Sequence, residues 1–422
     1  MTRRFGRLAQ VGGALGILTL AAACGSSSSS SSSSGSESSS GSAASSGGGG
    51  VSVSSFDASF TAMSQLQSVH SAGRGMVGVI LPDTTSSTRY VDFDQPYLKK
   101  AFDAAGYSSS EYKIDNAQGN DQTELAIAQA DITQGATVLV FDPLDSNIGA
   151  QIQSYAQSHG VQTISYDRAT FTGTNTYYVS FDNMQVGKLI GQGFKDCVTA
   201  WSVATPKIFT LNGGEDTDPN AVSFAQGYNS VVWGDTNTPE SAGKSNAQGW
   251  TLVGDQITPG WVNAQGATIF QQQFTAHPEI NATIEANDGL GNAVIQVLKN
   301  KGVAAKKIPT TGQDATLQGM ENVLQGYQCG SVYKAVYLEA QDAAALATYL
   351  RAGQTPPAGL VNSTTSPPHG VQGSQQPASL LTPVWVTSAN MASTVIKDQF
   401  VSASALCTAV GASVCSAAGI SG

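Results

Sequence analysis

Charge is scarce in this chain: of its 422 residues only 12% are Asp, Glu, Lys or Arg, and the balance is acidic, formally −10. A phosphate backbone requires clustered Lys and Arg, so nucleic acid is excluded as a partner. Histidine is scarcer still, with His70, His159, His277 and His369 all in tails, helix ends or loops. Without a CxxC spacing or a His partner there is no zinc site. A GxSxG elbow and a P-loop are missing, and the Gly-rich GGEDTD of Gly213 to Asp218 lacks the Lys and carries acids that repel phosphate. No acidic calcium loop is complete. No cofactor, no metal and no catalytic pair are therefore expected, and the chain does not read as an enzyme. Long apolar runs are also lacking, since the run from Leu8 to Leu20 falls short of the roughly 20 residues that span a bilayer.

What is present begins with an export signal over residues 1–23: the basic MTRRFGR, that apolar run, and Ala21, Ala22 and Ala23 ahead of Cys24. LTLAAAC resembles the bacterial lipobox, which makes Cys24 the lipidated N-terminus of a membrane-anchored protein of the cell envelope. Cleavage would remove three Arg and no acid, leaving the mature chain more acidic. Gly25 to Gly50 is almost entirely Ser, Gly and Ala, too polar to bury anything. That run has an r.m.s. reach of roughly 25–30 Å, and the tether it belongs to is placed at 24–72. Cys197, Cys329, Cys407 and Cys415 then form an even set in an exported chain, which favours disulfides. Three pairings are open; Cys197 with Cys329 and Cys407 with Cys415 are preferred.

From Gly75 onward, strand-length apolar runs alternate with helical stretches closed by Gly. MVGVILP, EYKIDNA, VLVFDP and VQTISYD are the strands of a first half; PKIFTLNGG, WTLVGDQ, NATIEAND and KIPTTGQDA are those of a second. This rhythm predicts an α/β chain of two Rossmann-like lobes with parallel sheets and a multi-crossing hinge. The 41% hydrophobic content suffices for two cores. The expected first lobe is 73–181 with 335–365, the second 182–334 with 380–405, and 406–422 is a tail.

In open parallel sheets ligands collect beyond the carboxyl ends of the strands. The polar residues there are Asp83, Arg89, Asn116, Asp142, Asp167, Arg168, Asn183, Asp218, Asn220, Asn287, Asp288, Gln313, Asp314 and Lys334. Carboxylates, amides and Arg give paired hydrogen bonds to vicinal hydroxyls, and Trp250, Trp261, Tyr90 or Phe93 could cover the apolar face of a sugar ring. Blander roles compete. Asp142 and Asp182 suit helix N-caps, Asp167 and Arg168 a structural ion pair, and Asn287 to Gly289 a turn.

Eight stretches carry a resemblance, in order along more than 300 residues: TSSTRYVDFD (Thr85 to Asp94), ISYDR (Ile164 to Arg168), YVSFDNMQVG (Tyr178 to Gly187), GGEDTDPNA (Gly213 to Ala221), ANDG (Ala286 to Gly289), TGQDA (Thr311 to Ala315), SVYK (Ser331 to Lys334) and LLTPVWVT (Leu380 to Thr387). With them the chain resembles the periplasmic sugar-binding proteins of the ribose type, above all their xylose- and multiple-monosaccharide-binding branch. The resemblance implies the type I periplasmic binding protein fold and a monomer that delivers a xylose-like pentose or related aldose to an ABC transporter permease. It implies a sugar site of Arg89, Asp167, Arg168, Asn183, Asp218, Asn220, Asp288, Asp314 and Lys334, to which Asn287 and Trp261 are added. Pro219 and Tyr90 stand where the relatives more often have Asn and Trp. The same fold also serves sugar-sensing lipoproteins that feed a chemoreceptor or kinase, and an exported glycosidase is a remote alternative.

Overall fold

The computed structural model describes residues 51–421 apart from 174–175, 216 and 238–239. The signal segment, Cys24 and most of the tether lie outside the described residues. The strands are β1 Met76–Leu81, β2 Tyr112–Asn116, β3 Ala136–Phe141, β4 Gln162–Tyr166, β5 Thr176–Phe181, β6 Lys207–Gly213, β7 Thr251–Thr258, β8 Ala282–Glu285, β9 Ser331–Tyr333, β10 Ser363–Thr365, β11 Gln376–Leu381 and β12 Val384–Val386. The helices are α1 Gln67–Ala72, α2 Gln95–Ala105, α3 Asp121–Thr133, α4 Ser146–Ser158, α5 Asn183–Ala200, α6 Pro219–Val232, α7 Asn263–Ala276, α8 Asp288–Asn300, α9 Leu317–Gln325, α10 Val336–Arg351, α11 Ala403–Val410 and α12 Ala412–Ala417.

The first lobe is a seven-stranded sheet in the order β10-β11-β5-β4-β3-β1-β2. All its pairs are parallel except β10 with β11 at one edge. β1 is buried along nearly its whole length, which is why MVGVIL reads as continuous rather than alternating: helices cover both faces of a parallel sheet. α10 and α2 supply the apolar cover on one face, and Ile148, Ile152 and Ala156 of α4 on the other. The second lobe holds a parallel sheet β7-β6-β8 and an antiparallel pair β12-β9. α5 and α6 pack closely there because Gly187 and Gly227 face one another; a Cβ on Gly187 would run into the Phe224 carbonyl. Three crossings join the lobes, at Phe181–Asn183, at Lys334–Val336 and between β11 and β12, and the Asp182 amide donates to the Leu381 carbonyl across two of them (3.1 Å).

Caps set the helix starts that face the cleft. Asp218 accepts from the amides of Asn220 and Ala221, with Pro219 in the first helical turn. Asn287 accepts from the Leu290 amide, and Asp182 caps α5 through the Gln185 amide (2.9 Å). Asp142 caps nothing; α4 is capped by Asp145.

The sequence boundaries need correction. Residues 51–72 are not tether: Val51, Phe56, Phe60, Met63 and Leu66 are buried in the first-lobe core. These five apolar side chains are spaced among Ser and Asp, and the preceding Ser/Gly run masks them. The second lobe does not resume at 380: LLTPVWVT divides at Pro383, with Gln376–Leu381 completing the first sheet and Val384–Val386 pairing with β9. The expected C-terminal tail packs on the fold, with Leu406, Cys415 and Ile420 buried against α9 and its neighbours. KIPTTGQDA forms no strand beyond a single bridge from Gln313 to Val332. Disulfides join Cys197 to Cys329 and Cys407 to Cys415, the two preferred pairings.

Candidate ligand-binding site

Arg89, Tyr90, Asp167 and Arg168 from the first lobe meet Asp218, Asn220, Phe224, Trp261, Asn287, Gln313, Asp314 and Lys334 around one cavity between the lobes, which Ser86 and Ser87 also line. About 300 Å³ of space among these side chains is not filled by atoms, part of it open to solvent. The first-lobe residues follow β1 and β4. Asp218, Trp261 and Asn287 follow β6, β7 and β8, so both halves use the carboxyl ends of parallel strands.

Arg89 is 1% exposed yet fully matched: its guanidinium donates to Asp94 (2.6 and 2.9 Å), Asp167 (2.9 Å) and Glu339 (2.7 Å). Tyr90 Oη donates to the second Asp167 oxygen at 3.0 Å. Burial alone would raise the Asp167 carboxyl, but Arg89, Lys334 and Arg168 outweigh it and hold it below the usual carboxylate range. Burial pushes Glu339 up to about 8 against the opposing pull of Arg89. Asp142 is likewise raised by burial, with Arg168 opposing.

Contacts across the cleft hold the lobes closed. Arg168 reaches Asp142 on its own lobe and Asp218 on the other, each at 3.2 Å. Ser87 Oγ donates to Asp314 (2.9 Å), Asn220 Nδ2 donates to the Asp167 carbonyl (2.9 Å), and Lys334 Nζ lies 3.2 Å from Asp314 and 3.8 Å from Asp167. Trp261 Nε1 donates to Asp218 at 2.9 Å, and its ring meets Phe224 edge-on with centroids 6.3 Å apart. Three of these residues sit in left-handed backbone, Asp167 (φ 54°), Trp261 (φ 57°) and Asp314 (φ 90°). Non-glycine residues hold that conformation only where their surroundings enforce it, and such strain gathers at functional sites.

Nine of the eleven expected ligand residues thus line the cavity: Arg89, Asp167, Arg168, Asp218, Asn220, Trp261, Asn287, Asp314 and Lys334. Asp288 does not. It is the first helical residue of α8 and turns inward, accepting from Gln328 Nε2 (2.8 Å), Ser331 Oγ (2.8 Å) and the amide and hydroxyl of Thr316 (2.8 and 3.0 Å). Burial raises its pKa to about 7. Asn183 also stands behind the cavity, its Nδ2 donating to Tyr178 Oη (2.9 Å) and Asn220 Oδ1 (2.8 Å). Of the aromatic candidates, Phe93 stacks on Phe400 and Trp250 meets Phe194, both away from the cavity. Ser86, Ser87 and Phe224 were not foreseen. Phe224 lies four residues after Asn220, on the same helix face, and that spacing was its signal. Among the described residues no group of three or more His, Cys, Asp or Glu is placed to hold a metal ion.

The periplasmic binding protein domain, as a family sequence profile, matches residues 77–355. The chain belongs to that family. This periplasmic binding protein is 31% identical over 288 residues to the D-xylose-binding periplasmic protein of Escherichia coli K12, covering 68% of this chain and 80% of the relative. It is 29% identical over 343 residues to the multiple sugar-binding periplasmic receptor ChvE of Rhizobium radiobacter, covering 79% and 93%. Among solved structures, it resembles a carbohydrate transporter solute-binding protein from Chloroflexus aurantiacus in complex with D-glucose (TM-score 0.64, 24% identity, 78% of this chain and 97% of that one). An ABC transporter solute-binding protein from Clostridium phytofermentans with β-D-glucose bound gives a TM-score of 0.67 at 22% identity, covering 78% and 99%. At those identities the two structures speak to the fold, which is the type I periplasmic binding protein fold.

Proposed function

We propose that this periplasmic binding protein is an extracytoplasmic lipoprotein, anchored through Cys24, that closes its lobes over one monosaccharide and hands it to an ABC importer. The observation that carries the reading is the convergence of nine polar and aromatic residues, from both lobes, on one small cavity. Relatives described as xylose-binding and multiple sugar-binding support it, and a xylose-like pentose or related aldose is the proposed ligand. The ligand is neutral, because Arg89, Arg168 and Lys334 are already matched by carboxylates. Carboxylates held ionised by cations accept from sugar hydroxyls, while Arg and amide groups donate to them and Trp261 and Phe224 offer apolar faces. Binding favours the closed state because only there do both walls touch the sugar. No covalent step is required.

A thermal-shift panel of xylose, arabinose, ribose, glucose, galactose and fucose tests this. A ligand at 100 times its dissociation constant adds about 2.7 kcal/mol of stability, which such a panel detects. At least one neutral aldose should raise the melting temperature and its uronic acid should not; no shift with any of the six overturns the reading.

A further inference from the structure

The family match ends at residue 355, yet the chain continues through a C-terminal segment that returns to the hinge. There it builds an apolar core of its own from Met391, Val395, Phe400, Val401, Leu406, Cys415 and Ile420. That core takes in Met320 and Val323 of α9 in the second lobe, Tyr333 and Val336 beside the second crossing, and Phe93 and Tyr97 from the first lobe. Two of its residues reach the cavity's immediate neighbours. The Phe400 ring stacks on Phe93 at 3.8 Å and meets Tyr333 edge-on at 4.9 Å. Asp398 Oδ2 accepts from Tyr333 Oη and Tyr337 Oη, each at 3.1 Å. Phe93 lies in the helical turn Tyr90–Asp94, which begins directly after Arg89. Tyr333 directly precedes Lys334, and Tyr337 follows it by three residues.

We propose that Asp398 and Phe400 are positioning residues for ligand binding, tying the Arg89–Tyr90 turn of the first lobe to the Lys334 crossing. Neither lines the cavity. Their grip on the two flanking elements keeps the Lys334 ammonium and the Tyr90 hydroxyl converged on Asp167, contacts of 3.8 and 3.0 Å. This inference rests on the sugar-binding reading for its functional consequence, while the tie itself is mechanical.

The test uses the full chain with its disulfides intact, in the variants Asp398→Ala and Phe400→Ala. Asp398→Asn keeps a carbonyl acceptor for the two phenols and serves as the conservative variant. Trp261, in the cavity, reports ligand release by stopped-flow fluorescence. For whichever aldose the wild type binds, release should quicken about tenfold in both alanine variants, equivalent to about 1.4 kcal/mol, and Asp398→Asn should recover most of it. A lowered melting temperature with unchanged release is what a merely structural role gives, and it overturns the proposal. If the wild type binds no aldose, the function reading fails and hydrogen exchange decides the tie. Faster exchange at both 90–94 and 331–337 supports it, whereas acceleration confined to 392–401 overturns it. Should Phe400→Ala not fold, Asp398→Ala, which removes only two hydrogen bonds, carries the same readouts.

Discussion

On the first-lobe wall, Arg89 is fixed by Asp94, Asp167 and Glu339, three carboxylates that belong to the same lobe or to α10 packed on it. On the opposite wall, Asp218 takes its cation from Arg168 across the cleft, Asp314 takes a hydrogen bond from Ser87 and pairs with Lys334, and the rest is amides and rings. The ion pairs of Arg89 lie on one side of the cleft, whereas Asp218 and Asp314 draw partners from across it. Under the proposed function, the first wall receives the ligand and the second converts binding into a change of shape.

The largest expected effect falls on the first-lobe wall. Arg89→Ala takes the cation from buried Asp94 and Glu339 and one of several from Asp167, and should cost about 3–5 kcal/mol of stability. Thermal denaturation measures this, and a wild-type melting temperature would deny the wall its fixed character. Arg168→Ala breaks the link between the walls instead. It should weaken sugar binding by about 2 kcal/mol by calorimetry, with a smaller loss of stability than Arg89→Ala; the reverse order would merge the two walls into one.

Asp288 provides a contrast within the second lobe, since it supports the wall without lining it. Its folded-state pKa of about 7 lies above the ordinary aspartate value of 3.8, so the folded form holds its proton more tightly. Its contribution to stability is therefore present at low pH and lost as pH rises from about 4 through 7. Asp288→Asn should flatten the dependence of melting temperature on pH while leaving sugar affinity close to wild type. The smallest effect is expected at Asn183, which acts through Asn220. Asn183→Ala should weaken binding by no more than about 1 kcal/mol, and a loss as large as that of Arg168→Ala would place its amide on the ligand itself.

How far the sequence discloses this molecule depends on how local its signals are. β1, β3 and β4 are apolar runs because both faces of their sheet are covered, so the first lobe is legible from composition alone. β10 and β12 have three residues each and owe their existence to distant partners, so nothing nearby announces them. Pro383 was the available sign that one apparent strand is two, since proline interrupts a ladder. Within the site, Asn287 and Asp288 are adjacent in the sequence, and the start of α8 separates them. The cap faces the cleft and the first helical residue turns towards Ser331 and Gln328. A polar residue after a strand marks the right neighbourhood; which of two neighbours faces the ligand is a matter of helix phase.

The place of β11 in the first sheet also governs the order in which the protein can be made. β5 pairs on one side with β4, already synthesised, and on the other with Gln376–Leu381, which emerges only after β6 to β9 of the second lobe. Throughout that interval the growing chain carries an unpaired strand edge. A chain halted before Gln376 would leave that edge open to pairing with another copy.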